Sequence, residues 1–145
     1  MKALTRHVDV SAQQVFDVLS DGWLYPMWVV GASRMREVDD GWPAVGTRLH
    51  HSVGAWPLLL DDTTEVLESH RPRLLKLKAR AWPFGEAHVI LEIQDDGRGG
   101  SVITMQEDAV SGPGTLVPQP LRQLGIVPRN EEALDRLAYL LEGRR

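Results

Sequence analysis

The segment NEEALDRLAYLLEG, residues 130–143, carries the clearest helical signal in the chain. Leu134, Leu137, Ala138 and Leu141 recur at i, i+3, i+4 and i+7 and form one apolar stripe. Asn130 is placed to cap the first turn, because its side-chain oxygen can accept an orphan backbone N–H. Glu131 and Glu132 sit at the positive end of the macrodipole, and Arg144 and Arg145 follow the negative end. Pro128 closes the loop before the helix, and Gly143 can take the left-handed C′ position after it. Glu132 and Arg136 form an i, i+4 pair on the wet side. A helix of about 13 residues spans roughly 20 Å, enough to lie along a sheet.

Upstream of this helix the pattern is that of strands. Residues 2–10 alternate weakly, with Leu4, Val8 and Val10 on one face. Ser11 and Gln14 have the spacing of a capping box, which opens a short helix with Val15, Phe16, Val18 and Leu19 on its apolar side. The aromatic stretch Trp23–Trp28, broken by Pro26, reads as a second short helix or turn. Strands follow at Ser33–Val38, Thr47–Val53, Leu58–Ser69, 75–81, Gly85–Gln94 and Val102–Val110. Thr47, Leu49, His51 and Val53 share one face, as do Leu58, Leu60, Asp62, Thr64 and Val66. Leu75, Leu77, Ala79 and Ala81 alternate with Lys76, Lys78 and Arg80. Ile103, Met105 and Glu107 share a face of the last strand. Residues 111–129 are punctuated by proline and glycine and read as a connection with a helical turn near Leu121. Consecutive strands with segregated helices imply an α+β fold, one domain over residues 1–145, with about six to seven antiparallel strands.

The chain has 145 residues, 43% hydrophobic and 25% charged, with a net charge of −4. That balance suits a soluble domain with a real core and leaves no basic footprint for nucleic acid. The absence of cysteine excludes disulfide and thiol chemistry. With a polar N-terminal segment, it suggests a cytoplasmic protein. No apolar run is long enough for a membrane span.

The opening VDVSAQQVFDVLSDGWLYPMWVVGAS resembles the start of the SRPBCC (START-like, helix-grip) superfamily. There a strand runs into a short helix and then into a second helix that bears tryptophan. GWPAVGTRLHH, VGAWPLLLDDTTEV, SVITMQEDAV and the RNEEALDRLAYLLEG helix resemble its polyketide cyclase/dehydrase branch from actinobacteria. The resemblance covers essentially the whole chain. It implies a curved antiparallel sheet wrapped around the C-terminal helix, with an apolar cavity between them. The same fold hosts lipid carriers, hormone receptors, aromatase/cyclases and chaperone activators, so it specifies no single function.

Within that frame His51 and Glu107 are the catalytic candidates. His51 shares an inward face with Leu49 and Val53 and could act as a general base, or be a hydrogen-bonded core residue. Glu107 could orient a ligand hydroxyl or act as an acid, or instead reach solvent or pair with an arginine such as Arg34. Tyr25, Trp28 and Trp56 can offer flat apolar walls with one donor each. Met105, Leu134 and Leu137 complete the expected ligand-binding set. Asp62 could face inward between Leu60 and Thr64, but a β-bulge or edge position would turn it out, and the pair Asp61-Asp62 reads as solvated. His50 and His51 point to opposite faces and cannot chelate one metal, and no other spacing suggests a metal site or a cofactor. The apolar residues Leu116, Val117, Leu121, Leu124, Ile126 and Val127 would form a lid or pack against the helix.

The expected function is binding of a small hydrophobic molecule, lipid or polyketide-like, by a monomer or homodimer. The alternatives are a cyclase, aromatase or dehydratase using His51 or Glu107, and a protein-partner module of the chaperone-activator kind.

Overall fold

The computed structural model describes residues 2–30, 32–53, 60–81 and 85–143. The strands are β1 (Leu4–Val8), β2 (Ala32–Val38), β3 (Arg48–Val53), β4 (Leu60–His70), β5 (Leu74–Ala81), β6 (Gly85–Asp95) and β7 (Ser101–Ser111). They form one seven-stranded sheet in the order β1-β7-β6-β5-β4-β3-β2. Every pairing is antiparallel. Register shifts in β2, between Val66 and Glu68 in β4, and between Glu86 and Ala87 in β6 interrupt the ladders. Such irregularities bend and twist a sheet, and this one curves around the C-terminal helix.

Between β1 and β2 lie α1 (Ala12–Leu19), a 3₁₀ turn (Gly22–Leu24) and α2 (Tyr25–Trp28). The capping box is formed: the Gln14 N–H donates to Ser11 Oγ at 3.2 Å, and the Ser11 N–H to Gln14 Oε1 at 3.0 Å. Val15, Phe16, Val18 and Leu19 are buried, as their spacing predicts. Gly22 sits at a close approach: a Cβ there would stand 2.5 Å from Leu49 Cδ2, so a larger residue has to displace that buried side chain.

Alternation places the inner face where it was expected. One cross-strand row runs Leu49–Thr64–Ala79–Ala87 and the next runs Val66–Leu77–Val89–Glu107. A third joins Leu75, Leu91, Met105 and Leu4. Leu49, Val66, Leu75, Leu77, Val89, Leu91 and Met105 from these rows form one core with Leu134, Leu137, Ala138 and Leu141 of the C-terminal helix, and Leu4 and Ala79 pack against it. Apolar burial of this kind contributes roughly 25 cal/mol per Å² removed from water, and it is what grips the helix.

That helix, α3 (Gln119–Glu142), has 24 residues and corrects the sequence reading. Residues 119–129 are helical, Asn130 is a buried interior residue rather than an N-cap, and Pro128 lies inside the helix. Only the 3₁₀ turn Pro113–Leu116 and three further residues separate it from the last strand. Proline in a helix interior forfeits one backbone hydrogen bond. Here tertiary contacts to β7 offset that loss. Gln119 Nε2 and Arg122 donate to the Asp108 carboxylate at 2.7–2.9 Å, and Gln123 Nε2 donates to the Glu107 carbonyl at 3.0 Å. Gly143 is right-handed, φ −75°, so no left-handed cap ends the helix.

The Arg122 guanidinium beside Asp108 holds its carboxyl well below the usual carboxylate range, against the opposing effect of burial. A pKa depressed by folding stabilises the protein above the unfolded value of 3.8, and that stability is lost as pH falls through the folded value. Stability should therefore fall on acidification from roughly pH 4 downward, with a shallower dependence in Arg122→Met. Thermal melts over the acid range check this, and an unchanged acid slope in the variant would remove Asp108 as its source.

Candidate functional site in the sheet–helix interior

The inner face is mostly apolar, and His51, Asp62, Thr64 and Glu107 are among the buried polar side chains on it. Strand geometry sets two of them side by side, since His51 and Asp62 are register partners on β3 and β4. Thr64 follows two residues on and so faces the same way. From the opposite side α2 brings in Tyr25 and Trp28. Pro26 falls in its first turn, where a missing N–H costs nothing, and the short helix packs against α3 and β2.

Tyr25, Thr64 and His51 form a buried hydrogen-bonded chain. Tyr25 Oη lies 3.2 Å from Thr64 Oγ1, and Thr64 Oγ1 lies 2.8 Å from His51 Nε2. The Tyr25 ring stacks on the His51 ring at 5.4 Å between centroids, and Trp28 meets Tyr25 edge-on at 5.5 Å. A buried hydroxyl without a partner costs about 1–3 kcal/mol, so the chain protects each member from that penalty. One atom stands outside it: His51 Nδ1 is buried and has no hydrogen-bond partner among the described residues.

Burial pushes the Tyr25 phenol up to about 12, reinforced by the nearby Glu107 charge and opposed by the Thr64 hydrogen bond and by Arg129. Burial also lowers the His51 pKa, and the neighbouring Asp62 offsets this only in part. Both rings are therefore neutral near pH 7. Glu107 is 8% exposed and is paired with Arg129 from α3. The arginine expected in that role, Arg34, is exposed and is not the partner. The reason is the extended helix, which brings residue 129 over β7.

Ala79 and Ala87 face inward beside Thr64 yet keep partial exposure. Two small side chains there leave the wall shallow next to the polar chain. Asp62 is buried rather than solvated: its carboxylate accepts the Thr63 N–H at 2.8 Å and lies 3.5 Å from Arg80 Nε.

The structure thus brings together Tyr25, Trp28, His51 and Glu107, with Met105 on the adjacent row and Leu134 and Leu137 in the same core. Trp56 lies outside the described residues. Leu116, Val117, Leu121 and Leu124 are exposed and cover no core, so packing against the helix is not their role. Sequence reasoning missed Thr64 and Arg129. Thr64 was legible as the hydroxyl on the Asp62–Val66 face, whereas Arg129 was hidden in a segment that reads as loop.

Among the described residues one set has ligand atoms close enough for a metal: Glu37, Asp39 and His50, all within 4.8 Å of one another. His50 Nε2 already bonds Asp39 Oδ1 at 2.8 Å, and Asp39 Oδ2 accepts the Arg48 N–H at 3.0 Å. These bonds explain the set as a hairpin brace. An open surface cleft of about 500 Å³ is lined by Trp23, Trp42 and Arg71 among others, and none of its lining residues belongs to the inner set. No helix among the described residues is long and apolar enough to cross a membrane.

Residues 3–142 match the model of a family described as polyketide cyclase / dehydrase and lipid transport. Protein NE0264 from Nitrosomonas europaea superposes with a TM-score of 0.74 at 18% identity, over 99% of this chain and 94% of that one. A START superfamily protein from Mycobacterium smegmatis does so at 0.66 and 22% identity, over 99% and 94%. The di-domain ARO/CYC StfQ from the steffimycin biosynthetic pathway gives 0.69 at 12% identity, over 98% of this chain and 44% of that one. At these identities the likeness is one of fold. Among proteins of curated function, none matches the sequence.

Proposed function

Because the chain belongs to the polyketide cyclase / dehydrase and lipid transport family, we propose that it binds a small hydrophobic molecule between the inner sheet face and α3. The supporting observation is the wall itself. Two inward alanines that are not sealed from solvent, Ala79 and Ala87, adjoin the buried Tyr25–Thr64–His51 chain and the Glu107–Arg129 pair. An apolar surface with a few convergent polar groups is the usual chemistry of a small-molecule site.

A ligand present at 100 times its dissociation constant stabilises the fold by about 2.7 kcal/mol, a rise of several degrees in Tm. A panel of lipids and polyketide-like aromatics should include molecules that produce this rise. Ala79→Phe fills the shallow wall and should abolish it while leaving the unliganded Tm within a few degrees. A rise that is unchanged in Ala79→Phe would place binding elsewhere.

A cyclase or dehydratase acting at the same proposed site is the second reading, favoured by the connected hydroxyl–imidazole chain, which could carry a proton. Turnover of a polyketide-like substrate, lost in His51→Ala or Glu107→Gln with the fold intact, would support it. Turnover unchanged in both variants would remove those assignments.

A further inference from the structure

The hydrogen-bond count around Thr64 fixes the His51 tautomer. Thr64 Oγ1 carries one proton and stands between Tyr25 Oη and His51 Nε2. If Tyr25 O–H donates to Thr64 and Thr64 O–H donates to Nε2, both hydroxyl protons have an acceptor. Nε2 is then the bare nitrogen, and the ring proton sits on Nδ1. In the opposite tautomer Nε2–H donates to Thr64. Either the Tyr25 or the Thr64 proton then has no acceptor among the described residues, in addition to an unmatched Nδ1. The first arrangement leaves one unmatched group and the second leaves two. An unmatched buried donor is costly, so the first prevails.

What remains is a single N–H, enclosed with a residue exposure of 3%, on the inner face of the sheet. It belongs to a ring held on one side by stacking against Tyr25 and at its far nitrogen by Thr64. A donor fixed this way cannot rotate to find a partner. The partner has to come to it.

We infer that His51 Nδ1–H is the recognition point for a carbonyl oxygen, so that the bound molecule is a neutral apolar ketone or quinone rather than a hydrocarbon or a fatty-acid anion. The inference rests on the proposed sheet–helix binding site. A carbonyl oxygen supplies the missing acceptor without bringing a proton of its own. A carboxylate would also accept, but its charge would have to be buried beside Asp62, the register partner of His51, with which Arg80 is already paired. The Arg129 charge that could have drawn an anion is committed to Glu107. Aromatic ketones also match the flat surfaces of Tyr25 and Trp28.

The test uses matched scaffolds: fluorene against 9-fluorenone, and 9,10-dihydroanthracene against anthraquinone, with binding measured by equilibrium dialysis. The full-length protein should bind each carbonyl member roughly ten-fold more tightly than its hydrocarbon partner. His51→Leu should bind both members equally, at the hydrocarbon's affinity. His51→Asn, whose amide places a donor near the Nδ1 position, should recover part of the preference. Equal binding of the two members by the wild type overturns the carbonyl assignment and leaves the hydrophobic site standing, as does a preference that survives His51→Leu. Failure of all four probes to bind counts against the site itself and so against both readings. Imidazole ¹⁵N shifts in the unmodified protein supply a check that needs no variant. They should show the Nδ1–H tautomer, and an Nε2–H ring would overturn the donor assignment.

Discussion

Leu137→Ala is expected to lower stability by about 2–5 kcal/mol, the range for removing a buried leucine whose site collapses only partly. Leu137 has no exposed surface and stands in the middle of the stripe by which α3 meets the core. Removing its isobutyl group forfeits transfer free energy and leaves a void bounded by neighbours that the sheet holds in place. Denaturant unfolding should show a lower midpoint with an unchanged m-value. Leu124→Ala is the control, because Leu124 is 72% exposed on the same helix and should change stability by less than about 0.5 kcal/mol. A Leu137 variant as stable as that control would mean that the helix is not gripped as described.

The second large effect concerns Glu107 and Arg129. Arg129→Met leaves a carboxylate that is 8% exposed without its counter-charge. Breaking a fully buried pair costs about 3–5 kcal/mol. The Arg129 side chain is 41% exposed, so solvent screens the pair and about 1–3 kcal/mol is expected. Glu107→Gln should cost less, because the arginine left behind reaches water. The double variant should be more stable than the sum of the two losses predicts, since neither charge is then stranded. Losses that simply add in unfolding experiments would show that the two groups are energetically independent.

Seven strands, the capping box at Ser11 and the inward rows were legible from alternation and end signals. Each strand buries one face and exposes the other, and the structure agrees to within two residues at most strand ends. Tyr25, Trp28, His51 and Glu107 were likewise legible, because aromatic density and inward alternation are local properties. The first half of α3 was not. Pro118, Pro120, Gly125 and Pro128 make a local signal for loop, and what overrides it is distant in sequence: Asp108 holding Gln119 and Arg122, and Glu107 holding Arg129. Asp62 was misjudged for a related reason. An Asp-Asp pair reads as solvated, while its burial depends on pairing with β3 and on Arg80 from β5. Contacts made across the sheet leave no trace in local periodicity.

The most direct test of the central claim is native mass spectrometry of the protein purified from the organism that makes it, followed by denaturing extraction. The account predicts a stoichiometric small apolar molecule, released on unfolding and carrying a carbonyl group. A protein that emerges empty, and that also fails to take up any member of a lipid and polyketide panel, would contradict it.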